Sequence, residues 1–318
     1  RADAKLGSFI YSSPMDTVTG KTLTKEMVEA DHYAVVCRFL ENEWFETLKE
    51  YHSHPNVFFA IGSKVQDAKN FIQDMALLPY DANISINIDV AHGDTTYMHK
   101  LYKWYSSQNY INNIMSGSIC TPAAAFRCIE NGCTHLRIGI GPGSACTTRL
   151  KTGCGIPQLS AISIIHSSLL KQGKRDKVKL IADGGIRSPG DAVKYLAAGA
   201  DGIMMGKRFS VCPESPGWKP HKDHWWQKSY LAKSYRGQAS ASFQNEMLNK
   251  DPDCAEGATG PIIRPGATVS KVIKEFEGGV RSALSYLGLS ALKDLTPENV
   301  IFIKTSSSAI VEGTPHGT

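Results

Sequence analysis

Eight short apolar runs alternate with segments of helical periodicity, and this alternation constrains the chain more than any other feature. The runs are FIYSSPMD (9–16), YAVVCRFL (33–40), NVFFAIG (56–62), ISINIDV (84–90), NYINNIMSG (109–117), HLRIGIG (135–141), VKLIADGG (178–185) and DGIMMG (201–206). Between them lie stretches such as WFETLKEYH, VQDAKNFIQDMA, YMHKLYKWYSS, PAAAFRCIENG and PGDAVKYLAAG, whose composition and period are those of helices. Buried strands alternating with helices imply a parallel sheet, because each crossover must return over a face of that sheet. Eight such units between residues 9 and 206 fit a closed (β/α)8 TIM barrel better than an open doubly wound sheet. The expectation is a single catalytic domain over 1–318, for which 42% hydrophobic content supplies an ample core.

Spacing then locates function. Successive runs begin mostly twenty-odd residues apart, but 43 residues separate His135 from Val178. Loops after barrel strands build active sites, so the enlarged loop after strand six marks one. A second irregular region, about 211–264, follows strand eight on the same face; it has few apolar anchors and several turn formers, and is expected to be a flap. Loop six, GIGPGSACTTRLKTGCGIPQLS (139–160), has glycines suited to tight turns, with Ser144 offering a hydroxyl and an amide to an anion. Neither a Rossmann nor a Walker A signature is present. Cys146 follows the Gly-rich turn near Arg149, where a thiolate is stabilised, and is the candidate nucleophile. Elsewhere a lone cysteine reads as a small buried hydrophobe; its place after a barrel strand favours chemistry. Strands seven and eight end in Asp183-Gly184-Gly185 and Gly206-Lys207, where barrels assemble phosphate sites. Asp183 suits ribose hydroxyls.

A formal charge of +5 is spread over 35 basic and 30 acidic residues without like-charge runs, so no nucleic-acid arm or polybasic membrane patch is expected. No stretch approaches a transmembrane span and RADAKLGSF lacks a signal-peptide core, giving a soluble, cytoplasmic expectation. Eight cysteines without C-x-x-C spacing argue for reduced, mostly buried thiols rather than disulfides or a zinc cluster.

With SSPMDTV (12–18), DVAHG (89–93), PQLSA (157–161), ADGGIRSPGDA (182–192), ESPG (214–217), YRG (235–237) and GGVRS (278–282), the loop GIGPGSACTTR resembles the IMP dehydrogenase/GMP reductase family nearly end to end. The resemblance implies that the Cys146 thiolate adds to purine C2. It assigns Ser144, Asp183, Gly185, Gly206, Lys207 and Tyr235 to ribose and phosphate, Ser13 and Met15 to a loop beneath the base, and Gly237, Gln238 and Gly257 to the purine. Gln238 departs from the family's usual Met. Asp89, Val90 and Ala91 are similar to the nicotinamide-side wall, and Arg38, Ser282 and Ser285 are assigned to the cofactor. Gly141, Gly143, Cys146 and Arg149 resemble a monovalent-cation site, usually potassium. A homotetramer is also implied.

Reaction direction turns on the flap. The family's dehydrogenases activate water with an Arg-Tyr pair, absent here between Arg236 and Glu256. The 20-residue separation of those positions resembles GMP reductases, in which a Thr-Glu pair, matched by Thr148 and Glu256, protonates departing ammonia. PQLSA and the lack of a CBS pair between strands two and three also look like GMP reductase, whereas SSPMDTVT, EGATG and the tail at 306–317 look like IMP dehydrogenase. The expected reaction is NADPH-dependent reduction of GMP to IMP. One alternative is oxidation of IMP to XMP with NAD; another, of a different class, is a purine nucleotide-binding subunit without turnover.

Overall fold

The computed structural model describes residues 4–79, 81–224 and 227–306. All eight runs form strands: β1 (Ile10–Ser12), β2 (Ala34–Val36), β3 (Val57–Ile61), β4 (Ile84–Ile88), β5 (Ile111–Met115), β6 (His135–Ile138), β7 (Lys179–Asp183) and β8 (Gly202–Met205). They pair in parallel in the order β1-β8-β7-β6-β5-β4-β3-β2. A Tyr11–Tyr33 bridge closes the ring, with Ser12 N donating to Tyr33 O at 3.0 Å and Tyr33 N to Ile10 O at 2.9 Å. The chain is a (β/α)8 barrel.

The intervening helices are α1 (Lys21–Glu29), α2 (Glu41–Tyr51), α3 (Val65–Met75), α4 (Thr96–Ser106), α5 (Pro122–Glu130), α6 (Thr148–Thr152), α7 (Gln158–Lys171), α8 (Pro189–Ala197) and α9 (Lys207–Ser210). Their starts are written locally: Thr95, Thr121 and Ser188 accept from the amides of Met98, Ala124 and Asp191, and Pro opens α5 and α8. Alternation within strands divides the core. Val36, Phe59, Ile86, Leu136 and Leu180 pack in the large cluster under the helices, whereas Tyr11, Val35, Phe58, Met115, Ile181 and Met204 fill the barrel interior.

The long connection between β6 and β7, residues 139–178, holds the short α6 and the longer α7. After α9 the flap is more ordered than its turn-rich sequence suggests: β9 (Lys219–His221), β10 (Tyr230–Arg236) and β11 (Thr259–Ile263) form an antiparallel sheet in the order β11-β10-β9, and α10 (Ala241–Leu248) lies between β10 and β11. One fully buried aromatic, Phe243, replaces the missing apolar periodicity and packs edge-on against Phe39 at 4.8 Å. α11 (Val269–Leu287) then closes the outer ring against α8 and α1. Among the described residues no helix is long and apolar enough to cross a membrane. All eight cysteines are free; Cys37, Cys128, Cys133 and Cys212 are buried, Cys154 and Cys254 exposed. The tail read as similar to IMP dehydrogenase lies, beyond Ser306, outside the described residues.

Candidate active site

The C-terminal ends of the strands open into a cleft of about 850 Å³. Loop six supplies its floor. Gly139 has φ +142°, and a Cβ there would lie 2.4 Å from Asp183 O, so only glycine lets loop six cross the end of β7 this closely. Gln158 pins the crossing by donating from Nε2 to Ile138 O at 2.6 Å. Sequence reasoning registered PQLSA without seeing this role.

Cys146 lines the cleft, half-buried, with Sγ donating to Thr148 Oγ1 at 3.2 Å. Its backbone is held on two sides: Cys146 N donates to Gly143 O at 3.0 Å, and an antiparallel bridge joins Cys146 to Gly257, flanked by Thr147 N to Glu256 O at 2.7 Å and Ala258 N to Ala145 O at 2.8 Å. The flap's return strand is thereby stitched to the nucleophile loop. Glu256 also lines the cleft, but among the described residues no hydrogen bond joins its carboxylate to Thr148. Arg149 does not serve the thiolate as expected. Its guanidinium turns to two carbonyls, Ile140 O at 2.9 Å and Ile156 O at 2.5 Å.

Deeper in the cleft, Arg137 joins two carboxylates. Nη1 reaches Asp89 Oδ1 and Nε reaches Asp183 Oδ2, both at 3.2 Å, while Nη2 donates to Ser118 Oγ at 3.1 Å. Burial pushes the Asp183 carboxyl up, and Arg137 opposes that shift. Arg137 was missed in the sequence, although a charged residue inside HLRIGIG was the signal for an inward-facing polar group. Asp89 Oδ2 is buried and accepts no hydrogen bond among the described residues, so it fits a donor on a bound cofactor. Ala91 lines the same side.

Gly185, Gly206, Lys207, Ser144 and Tyr235, the residues assigned by resemblance to ribose and phosphate, line the same cleft. A Cβ on Gly206 would lie 2.9 Å from Tyr235 Oη, 3.1 Å from Met15 Sδ and 3.5 Å from Ser13 Oγ, so these three side chains surround one backbone approach. Burial pushes the Tyr235 phenol up, keeping it a neutral donor. Tyr195, not singled out in the sequence, points its hydroxyl toward Gly185 O at 3.5 Å. Arg187 is paired with Asp191 and Arg208 with Glu275; among the described residues Lys207 and Arg149 are the lining cations without a carboxylate partner, Arg149 being held by carbonyls instead. Gly237, Gln238 and Gly257 complete the wall, with Gln238 Nε2 donating to Pro14 O at 2.7 Å.

Four expected cofactor residues do not face this cleft. Arg38 lies 3.7 Å from Asp89 Oδ2 and stacks over Phe39 at 3.9 Å. Val90 turns toward Gly117, where an added Cβ would meet its Cγ2. Ser282 and Ser285 sit on α11, whose buried face of Val272, Phe276, Val280 and Leu284 packs inward; the helix carries both serines on the outside of the barrel. The residues expected to hold potassium lie together on this loop: the carbonyls of Gly143 and Arg149 each accept one hydrogen bond, from Cys146 N and Gly153 N, which leaves each oxygen a second lone pair. No step is assigned to a metal ion.

The described family of IMP dehydrogenase / GMP reductase domains matches residues 2–316. The chain is similar to an inosine-5'-monophosphate dehydrogenase of Borreliella burgdorferi, 36% identical over 234 residues, covering 72% of this chain and 56% of that protein. It is also similar to those of Chlorobaculum tepidum, 32% identical over 243 residues covering 73% and 47%, and Thermoplasma acidophilum, 35% identical over 237 residues covering 73% and 46%. The chain spans about half the length of these curated relatives. Barrel, loop six and sequence matches agree: the chain belongs to the IMP dehydrogenase/GMP reductase family.

Proposed function

We propose that this chain is an oxidoreductase acting at C2 of a purine nucleotide through Cys146, and that it runs in the reductive direction, from GMP to IMP. The observation that carries the direction is the company Cys146 keeps. A threonine hydroxyl lies 3.2 Å from Sγ, while every arginine lining the cleft is engaged: Arg137 with two aspartates, Arg149 with two carbonyls, Arg187 with Asp191 and Arg208 with Glu275. Among the described residues no guanidinium lining the cleft is left free to deprotonate water, so hydrolysis of an adduct would lack an arginine base. Loss of ammonia needs only a proton, which Thr148 would relay from a protonated Glu256 once bound substrate brings the two side chains together, since no hydrogen bond joins them among the described residues.

The thiolate of Cys146 bonds to C2 of GMP, and the 2-amino group leaves as ammonia with that proton. Hydride then adds at C2 and the C–S bond breaks, returning the thiolate and releasing IMP. NADPH, when bound beside Asp89 and Ala91, supplies the hydride. Ser282 and Ser285 could reach a cofactor only if α11 of another copy abuts the cleft, which a homotetramer would supply. The names of the curated relatives favour a second reading, oxidation of IMP to XMP with NAD.

Nicotinamide absorbance separates the two, with GMP plus NADPH and IMP plus NAD run in parallel. Consumption in the first, abolished by Cys146→Ala and slowed about a hundredfold or more by Thr148→Val, is expected. Reduction of NAD with IMP alone would transfer the assignment to the dehydrogenase.

A further inference from the structure

Four consecutive residues after β1 are each held by the flap. Gln238 donates to Pro14 O at 2.7 Å, Tyr235 Oη lies 3.7 Å from Met15 Sδ, Arg236 binds Asp16 at 3.0 and 2.8 Å, and Lys233 Nζ donates to Thr17 O at 2.8 Å. Lys233 does not line the cleft. It is 6% exposed, and its remaining two N–H groups go to Ser215 Oγ at 2.5 Å and Pro216 O at 2.8 Å. Three donors meet three acceptors, a match that an ammonium satisfies; a neutral amine, with two N–H groups, does not while the Ser215 hydroxyl spends its own proton on Cys212 O at 2.7 Å. The Trp218 ring covers the charge at 4.5 Å.

We propose that Lys233 is a positioning residue: its ammonium ties the flap hairpin and the Ser215–Pro216 turn to the loop carrying Ser13 and Met15, and so sets that loop beneath the substrate's base. The tie depends on the purine reading only for what lies on the loop. Because Met15, Ser13 and Tyr235 all surround Gly206, a displacement of Thr17 is transmitted to the phosphate end as well as the base.

The tie is sensitive to protonation. Burial pulls the Lys233 amine down to about 7, against the opposing influence of Cys212 and Asp16. These are the titratable groups that face it, with Glu214 and Arg208 beyond Cys212 and Arg236 on Asp16. Cys212, pushed up to about 12 by burial, stays a thiol through the neutral range. Burial raises the Asp16 carboxyl while Arg236 opposes; Lys233, at about 7, titrates within the neutral range. Loss of its third proton releases one acceptor, weakening the tie by roughly one net hydrogen bond, or about fivefold.

The test follows alkylation of Cys146 by iodoacetamide, read on its own peptide because Cys154 and Cys254 are exposed, with GMP as protectant. The half-protecting GMP concentration in the native chain is expected to rise about fivefold between pH about 6 and about 8.5. Lys233→Met should need at least about tenfold more GMP and show no such rise. Ser215→Ala, a milder change, should also flatten the profile, because two carbonyls match an amine with two N–H groups. Protection by Lys233→Met at the native concentration, or variant profiles parallel to the native one, overturns the proposal. If neither GMP nor IMP protects Cys146 in the native chain, the purine reading falls by itself. Hydrogen exchange in the ligand-free protein then decides the tie: Val18 and Thr19, whose amides bond Met15 O, should lose about fivefold of their protection over the same pH range in the native chain only, and equal behaviour in Lys233→Met overturns it.

Discussion

Replacing Phe243 with alanine should release the flap while leaving the barrel folded. The ring is fully buried, meets Phe39 at 4.8 Å and lies 5.2 Å from the Arg236 guanidinium. It is the buried residue of α10, so little else docks that helix. Deleting a buried phenyl costs about 3–5 kcal/mol, of which the aromatic pair accounts for roughly 1 kcal/mol. Because the flap can detach without opening the barrel, the cost falls on the docking equilibrium and raises the undocked population by about two to four decades. Hydrogen exchange read segment by segment measures this directly. Amides of α10 should lose at least about a hundredfold of protection, while those of β3 and β4 keep theirs. Equal loss in barrel and helix would refute a separable flap, and unchanged α10 exchange would refute the anchoring role of the ring.

Two further predictions concern the barrel interior. Arg137→Leu leaves Asp89 and Asp183 facing each other without their shared cation, which should cost about 3–5 kcal/mol in thermal or urea unfolding; the loss should shrink in mild acid as one carboxyl takes a proton, and a pH-independent loss would contradict the account. His135 is held neutral by burial and, secondarily, by Lys179, with its pKa lowered to about 4. The unfolded chain binds more protons between that value and the ordinary histidine range, so this contribution is full above pH about 6.5 and is lost toward pH 4, at most about 3 kcal/mol. His135→Phe should flatten that part of the stability profile, and an unchanged slope would remove His135 as its source.

The barrel was readable because its strands are buried on both sides, which writes continuous apolar runs, and because helices between them repeat at their own period. The glycines of the cleft were readable for a similar reason: Gly139, Gly185 and Gly206 occur where the backbone comes close to another backbone or to a side chain. Arg137 and Gln158 were harder, since one sits inside an apolar run and the other inside a helix start, and each acts through a partner more than 15 residues away in sequence. The flap's sheet was invisible for a different reason. β9 and β10 pair through backbone groups, with Lys219–His221 carrying no apolar alternation, and one ring, Phe243, supplies the anchoring that a pattern would normally announce. Ser282 and Ser285 mark the limit of motif matching: their positions were found, but α11 faces them away from their own cleft.

The bridge between Cys146 and Gly257 bears on how such a scaffold can be re-engineered. A flap transplanted from a dehydrogenase would bring its own acid or base, yet the thiol's aim depends on the backbone of Glu256, Gly257 and Ala258 meeting Ala145, Cys146 and Thr147. Gly257 tolerates no replacement there, since a Cβ would lie 2.6 Å from Ser240 N. Grafts that keep this three-residue seam would exchange chemistry without disturbing the nucleophile, and those that cut through it would lose both at once.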